Sequence, residues 1–345
     1  METIVWHGKE NNASDLHFSA YSSIKMRIMG KLKSYDENTI LTPKAIEQMI
    51  NNLLNEKEQL QLEKNNAIDI SLIIKDIRVR CNIFKTINGY SIAMRLLPDT
   101  IPSLDELNMP TILKSISMLN QGLILVTGST GSGKSTTLAS ILDHINSTSQ
   151  KHIITLEDPI EFVHKHKSSI INQIELNQNQ FSDILKYTMR QDPDCILIGE
   201  IRDTQTMELA LTASETGHLV LSTLHTNDAP STINRIIDVF PTNAQNQIRI
   251  KLAATLKVII SCKLLNTVDG KSKVSAQEIM IVNKPIENII RTGDIHLLSQ
   301  QIETGKSEGM QLMDYSIANL VNKNIISYDT AKANCHDIKI LNRYL

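Results

Sequence analysis

The stretch LILVTGSTGSGKST, residues 123–136, decides the fold of this chain. A run of apolar residues, 123–126, leads into a segment that matches the pattern G-x-x-x-x-G-K-[ST] at 128–135. Glycines allow backbone N–H groups to converge on phosphate oxygens, and a following helix points the positive end of its dipole at them. The motif therefore predicts a strand, a phosphate-binding loop and a helix, in that order.

The phosphate loop also carries two side chains with distinct expected tasks. Lys134 would reach the β- and γ-phosphates of a nucleotide as a point charge, and the hydroxyl of Ser135 would bind Mg²⁺. The alternative, a Gly/Ser-rich surface loop, is disfavoured by the apolar run before it. The predicted nucleotide-binding residues are Gly128, Ser129, Thr130, Gly131, Ser132, Gly133, Lys134, Ser135 and Thr136.

Three more short apolar runs, 153–156, 195–198 and 219–222, alternate with helical stretches. This alternation predicts an α/β domain with buried parallel strands in a doubly wound sheet. The carboxyl ends of such strands meet at one edge, where ligands and catalytic groups gather.

Polar side chains follow each of these runs. Glu157, Asp158 and Glu161 follow the first, where a carboxylate could orient or deprotonate an attacking water; a solvated acidic turn is the alternative. Glu200 ends the second run in a Walker B arrangement and would hold Mg²⁺ through water. His225 ends the third, where sensing the γ-phosphate and a structural role both stay open. His218 starts that run, at the opposite end, which favours packing.

The N-terminal part, 1–97, has the pattern of a small mixed α/β unit. Alternating runs predict strands, a helix opens at Pro43, and Asn88–Gly89 predicts the turn of a hairpin. Two prolines within five residues, Pro98 and Pro102, then predict a flexible linker. The expected organisation is a domain at 1–97, a linker at 98–105, and a domain at 106–345 whose tail is helical from about 285.

Composition narrows the class of protein. The chain has 345 residues, a formal net charge of −2 and 4% aromatic residues, which disfavours a nucleic-acid motor with a basic groove and stacking platforms. The four cysteines, Cys81, Cys195, Cys262 and Cys335, form no Cys-x-x-Cys pair, which disfavours a zinc knuckle and favours a reducing cytosol. We expect no signal peptide and no direct membrane insertion, because the apolar runs are short.

Four segments together resemble one family. In order along the chain, they are similar to the Walker A, Asp, Walker B and His boxes of the secretion ATPase superfamily. Within it, the chain is most similar to the PilT-type pilus retraction ATPases. The segments are 128–135, 154–162, 190–203 and 215–226.

This resemblance implies a PAS-like N-terminal domain of the α+β class, a flexible linker and a RecA-like P-loop domain. It implies ATP hydrolysis with Mg²⁺, with Glu161 as the catalytic carboxylate, Glu200 as the Walker B glutamate and His225 as the His box histidine. It also implies arginines that face nucleotide across domains or subunits. These would be Arg78, Arg80 and Arg95.

The implied assembly is a homohexamer in the cytoplasm, at the inner-membrane base of a type IV pilus machine. Its implied partners are an inner-membrane platform protein and, as a further candidate, a second motor ATPase; no nucleic acid is expected. Assembly-type members commonly carry a four-cysteine metal site, which this chain lacks. Glu287 and Thr292 depart from the retraction-type C-terminal motif, and the loop before Phe181 is shorter. An accessory pilus motor or a type II or type IV secretion ATPase is therefore the alternative.

Overall fold

The chain folds as two units of unequal size, Met1–Thr100 and Ile101–Leu345. A computed structural model describes residues 1–98, 100–176 and 180–345. The division between the units falls inside the predicted linker, 98–105. Asp99 of that linker, and residues 177–179 of the loop before Phe181, lie outside the described residues.

The N-terminal unit is a six-stranded antiparallel sheet with three helices, in the strand order β3-β2-β1-β6-β5-β4. One face of the sheet is apolar and buried. Successive side chains of a strand point to opposite faces, so alternating apolar and polar residues place the apolar ones together. The strands are β1 (Ala13–Phe18), β2 (Lys25–Ile28), β3 (Lys31–Ser34), β4 (Ala67–Ile74), β5 (Ile77–Thr86) and β6 (Gly89–Leu96). The helices are α1 (Glu2–Glu10), α2 (Pro43–Leu53) and α3 (Glu56–Asn65).

The predicted helix at Pro43 and the predicted hairpin both form. Thr42 caps α2 by accepting the N–H of Ala45. The hairpin turn differs by one residue from its prediction: Thr86 pairs with Gly89, so the turn residues are 87 and 88. Gly89 instead opens β6 with φ +103°, a conformation that glycine adopts at little cost. The turn sets the register of the whole hairpin, so it decides which residues of β5 and β6 meet.

The C-terminal unit contains a seven-stranded sheet in the order β13-β12-β7-β11-β10-β8-β9. The four runs that the sequence predicts as buried strands are β7, β8, β10 and β11, and they are parallel as expected. The sheet is completed by β9 and β12, also parallel, and by the antiparallel β13. The strands are β7 (Gly122–Thr127), β8 (His152–Glu157), β9 (Ile170–Glu175), β10 (Cys195–Ile198), β11 (Leu219–Leu224), β12 (Leu256–Asn266) and β13 (Lys273–Ile281).

Helices cover both faces of this sheet, which makes it doubly wound. The apolar side chains of α4 (Ile112–Ser117) and α5 (Lys134–Thr148) pack on one face. The helices that pack on the other face include α6 (Phe181–Thr188), α7 (Thr204–Glu215), α8 (Ala229–Asp238), α9 (Thr242–Thr255) and α10 (Lys284–Thr292). The tail continues as two 3-10 helices, Ile295–Leu297 and Gly305–Glu308, and as α11 (Leu298–Thr304), α12 (Met313–Asn322), α13 (Tyr328–Asn334) and α14 (Ile338–Tyr344).

Candidate functional site

The loop between β7 and α5 has the backbone of a phosphate cradle. Gly128, Gly131 and Gly133 have φ values of +144°, +76° and +93°. A Cβ atom on Gly128 would lie 2.5 Å from the carbonyl oxygen of Cys262 and would also collide with the hydroxyl of Ser132. Glycine is therefore required at this position both for its conformation and for space.

Lys134 is folded over the loop. Its ammonium donates hydrogen bonds to the carbonyl oxygens of Gly128, at 2.8 Å, and Ser129, at 2.9 Å. Burial lowers the pKa of Lys134, and the nearby charges of Glu200 and Glu161 partly oppose this effect. Lys134, Glu200 and Glu161 thus influence one another electrostatically.

The remaining loop residues line the same cradle. Ser129, Thr130 and Gly131 are exposed, whereas Ser135 and Thr136 are half-buried in the first turn of α5. The hydroxyl of Ser132 is buried and has no hydrogen-bond partner within the described chain. The first N–H groups of a helix also lack partners inside it. The loop therefore offers donors that a phosphate group would satisfy.

Glu200 lies two residues beyond β10 and binds two side chains at once. Its Oε2 accepts hydrogen bonds from Nε and Nη2 of Arg202, each at 2.8 Å, and its Oε1 lies 3.2 Å from Nε2 of His225. The hydrogen bond with Glu200 raises the pKa of Arg202. These residues border a cleft of about 370 Å³ that is also lined by Arg235.

The segment 154–162 begins within β8 and is held in place by side chains of β9. Gln173 donates to Oε1 of Glu157 at 3.1 Å and to the carbonyl oxygen of Phe162 at 2.9 Å, and Glu175 accepts the N–H of Ile160 at 3.1 Å. Glu157 is therefore engaged in the structure of the segment, and burial raises its pKa. Glu161 is exposed, which leaves its carboxylate accessible to a substrate.

The three candidate arginines lie in the N-terminal unit. Arg80 of β5 and Arg95 of β6 are direct partners in the sheet, and Arg78 lies two residues from Arg80 on the same face. Nε of Arg95 pairs with Oδ1 of Asp15 at 3.0 Å, and Nε of Arg80 lies 3.8 Å from Oδ1 of Asp69. The sheet therefore presents a row of guanidinium groups.

The family described as Type II/IV secretion system protein matches residues 1–330. The chain belongs to this family. The twitching motility protein of Neisseria gonorrhoeae is 42% identical over 295 residues, which cover 85% of this chain and 79% of that protein. The type IV pilus retraction ATPase PilT of Pseudomonas aeruginosa is 40% identical over 334 residues, 96% of each chain. A crystal structure of the pilus retraction motor PilT with bound ADP has a TM-score of 0.92, with 40% identity over 99% of both chains.

These similarities confirm the resemblance that the four motifs predict, and they support ATPase activity for this member of the secretion-system family. In the described part of the chain, no helix is long and apolar enough to cross a membrane.

The oxygen ligands that this chain offers, from Ser135 and Glu200, fit a Mg²⁺ ion that is bound mainly through phosphates and water. No group of three or more His, Cys, Asp or Glu residues that could hold a metal occurs at 1–98, 100–176 or 180–345. Mg²⁺ in phosphoryl-transfer sites needs only one or two protein ligands. Ser135 is suitably placed in the first turn of α5, and Oε1 of Glu200 has a lone pair left beside its contact with His225.

No role was assigned from the sequence to three residues that shape the site. Gln173 and Glu175 hold the Asp box from a strand that the sequence does not predict, and Arg202 occupies an oxygen of Glu200. The sequence signal for the contact between Arg202 and Glu200 was an arginine two positions after an acidic residue. The first two depend on the pairing of β8 with β9, which only the fold reveals.

Proposed function

We propose that this chain is an ATP-hydrolysing motor that powers the retraction of type IV pili. The observation that carries the proposal is the similarity to the pilus retraction motor PilT over almost the whole length of both chains. The geometry of the phosphate loop supports the nucleotide-binding part of the proposal, because the loop has the glycine conformations and the lysine that a nucleoside triphosphate requires.

In this proposal, residues 128–136 bind the phosphates of ATP. Lys134 leaves its carbonyl partners and neutralises the β- and γ-phosphates, while backbone N–H groups at the start of α5 bind the remaining oxygens. Ser135 and, through water, Glu200 would hold Mg²⁺, which supplies neutralisation of charge on the phosphate oxygens.

Glu161 is the proposed catalytic carboxylate. Its exposure and the effect of its charge on Lys134 support a place near the γ-phosphate. It would orient the attacking water and accept its proton. His225 would report the state of the nucleotide through its contact with Glu200.

The working assembly is proposed to be a homohexamer at the cytoplasmic base of the pilus machine. Arg78, Arg80 and Arg95 would act on nucleotide from another domain or subunit and stabilise charge that develops on the γ-phosphate. Residues near the linker, 98–105, would absorb the change in backbone angles when the two units reorient. The motion would be passed to an inner-membrane platform protein, with a second motor ATPase as a further candidate partner.

The test is the surface piliation of a deletion strain. Retraction predicts an excess of surface pili and a loss of twitching, because assembly continues without disassembly. A strain without pili would show an assembly ATPase, and normal piliation with a secretion defect would show a secretion ATPase. Either result would overturn the proposal. A hydrolysis rate of the purified protein that rises strongly with DNA would instead indicate a nucleic-acid motor.

A further inference from the structure

A buried glutamate on β13 connects two helices that are far apart in sequence. Glu278 is 3% exposed, and its Oε1 accepts the N–H of Ala229 at 2.8 Å. The backbone of Met313 also hydrogen-bonds to this carboxylate. Ala229 and Met313 are the first residues of α8 and α12, so one carboxylate caps both helices.

Opposing electrostatic effects act on the carboxylate of Glu278. Two helix N-termini favour the charged carboxylate, whereas burial and the neighbouring carboxylates of Asp228 and Asp314 disfavour it. The result is a pKa raised to about 7, with burial as the largest cause. Replacing such a group leaves backbone N–H groups buried without an acceptor, which is costly.

Glu278 lies in line with the phosphate loop. In the sheet, it is paired with Ser261 of β12, which is paired with Thr127 of β7. Oγ1 of Thr127 donates a hydrogen bond to Oγ of Ser261 at 3.0 Å, and Thr127 directly precedes the loop. Two strand spacings separate Glu278 from Thr127, a distance of about 10 Å. The carboxylate therefore ties α8 to the strands that carry the cradle.

Side-chain hydrogen bonds connect the start of α8 to the loop before it. The hydroxyl of Thr226 bonds to that of Thr232 at 2.7 Å, and Thr232 bonds to the carbonyl oxygen of Asp228 at 2.6 Å. His225 precedes this segment directly and lies 3.2 Å from Glu200. A shift of the first turn of α8 would therefore move His225.

We infer that Glu278 is a positioning residue for ATP hydrolysis: by holding the first turn of α8 against the sheet, it fixes the loop that presents His225 to Glu200. The inference rests on the proposed function, which places His225 and Glu200 at the nucleotide. It adds that α12, in the helical tail, is joined to the site through the same carboxylate.

The first experiment compares Glu278→Gln with Ser169→Ala in the full chain. Ser169 is the control, because it is also buried, at 4% exposed, and its hydroxyl accepts a backbone N–H, that of Lys151, at the amino end of β9. Well below the melting temperature of both variants, Glu278→Gln lowers kcat about tenfold and changes KM for ATP little. Ser169→Ala lowers the melting temperature but leaves kcat within about twofold of the wild type.

A double-mutant cycle tests whether the effect passes through His225. If it does, Glu278→Gln lowers kcat no further in a His225→Ala background. Thr226→Val breaks the hydrogen bond between Thr226 and Thr232 and gives a second measurement at a side chain that is only half-buried. It lowers kcat by a similar factor.

Several results would overturn the inference. They are equal kcat values for Glu278→Gln and Ser169→Ala, a full additional loss in the His225→Ala background, and a Thr226→Val variant with wild-type kcat. All of these presuppose that the wild-type protein releases phosphate from ATP. A wild type without hydrolysis would overturn the proposed function, and this inference with it, so the two failures are distinguishable.

Discussion

Nε2 of His225 lies 3.2 Å from Oε1 of Glu200, and this contact joins the ends of two adjacent strands, β11 and β10. The second carboxylate oxygen of Glu200 is held by Arg202. The glutamate proposed to act near Mg²⁺ is therefore oriented from both sides, and its geometry depends on residues that come from different parts of the chain.

The first prediction concerns His218 and His225, the two histidines that flank β11. His225→Ala lowers kcat for ATP hydrolysis about tenfold or more and changes KM little, because it releases Glu200 without removing a phosphate ligand. His218→Ala leaves both constants nearly unchanged, since His218 lies at the other end of β11 and bonds to the carbonyl oxygen of Ala213 at 3.0 Å. Steady-state phosphate release measures both. Equal losses in the two variants would refute the assignment.

The second prediction separates two glycines of the phosphate loop. Gly128→Ala destabilises the protein by about 1–3 kcal/mol, because of its φ of +144° and the collision with the carbonyl oxygen of Cys262. Gly131→Ala costs less, since its added methyl group meets no atom within 4 Å and only the φ of +76° is unfavourable. Urea unfolding gives both values. A larger loss for Gly131→Ala would contradict the structure of the cradle.

The third prediction addresses the arginines. Arg95→Ala lowers the rate of hydrolysis more than the affinity for ATP, because its proposed partner is charge that develops during the reaction. Arg343→Ala is the control: its side chain is 61% exposed, against 64% for Arg95, and it also pairs with a carboxylate, that of Glu303.

Mixing Arg95→Ala with Glu161→Gln tests whether this arginine acts across subunits. In a mixed ring, some sites combine an intact arginine from one subunit with an intact glutamate from its neighbour, so partial activity returns. Mixed rings that show no partial rescue would rule out action in trans.

The fourth prediction follows from the raised pKa of Glu278, which is about 7 against an ordinary value of 4.5. Between these values the folded state holds a proton that the unfolded chain releases, so this group's contribution to stability falls as pH rises. Glu278→Gln removes that dependence. The unfolding free energy of the variant, relative to wild type, therefore increases from pH 5 to pH 8, by up to about 3 kcal/mol.

Glu287→Gln is the control for this titration. The hydrogen bond from Lys284 lowers the pKa of Glu287, so its charge does not change in that pH range. The relative stability of this variant is expected to stay constant from pH 5 to pH 8. A Glu278→Gln profile as flat as that of Glu287→Gln would show that the buried carboxylate does not titrate as described.

Local patterns were sufficient to predict the cradle and the four central strands. Residues 128–135 form a continuous motif, and the apolar run 195–198 has the same bounds as β10. Such features depend on neighbours in sequence. Because the four strands are parallel, their carboxyl ends had to place Glu200 and His225 along one edge, which the structure shows.

Features that depend on distant pairing were not predictable. The pairing of Arg80 with Arg95 is decided by a turn one residue away from the expected one. Glu278 had a weak signal, an acidic residue between the buried Ala276 and Met280 on the inward face of a strand. One partner, Ala229 at the start of α8, lies 49 residues before it. The other, Met313 at the start of α12, lies further along the chain. No sequence pattern connects them.

The most direct test of an ATP-driven retraction motor is complementation of a deletion strain with Lys134→Ala and with Lys151→Ala. Lys151 is the matched control, because its ammonium also donates to a backbone carbonyl, that of Leu119 at 3.0 Å, but lies by the amino end of β8. We predict that Lys134→Ala releases no phosphate and leaves the cells with excess, non-retracting pili, whereas Lys151→Ala restores retraction. Normal twitching in the Lys134→Ala strain would contradict the account.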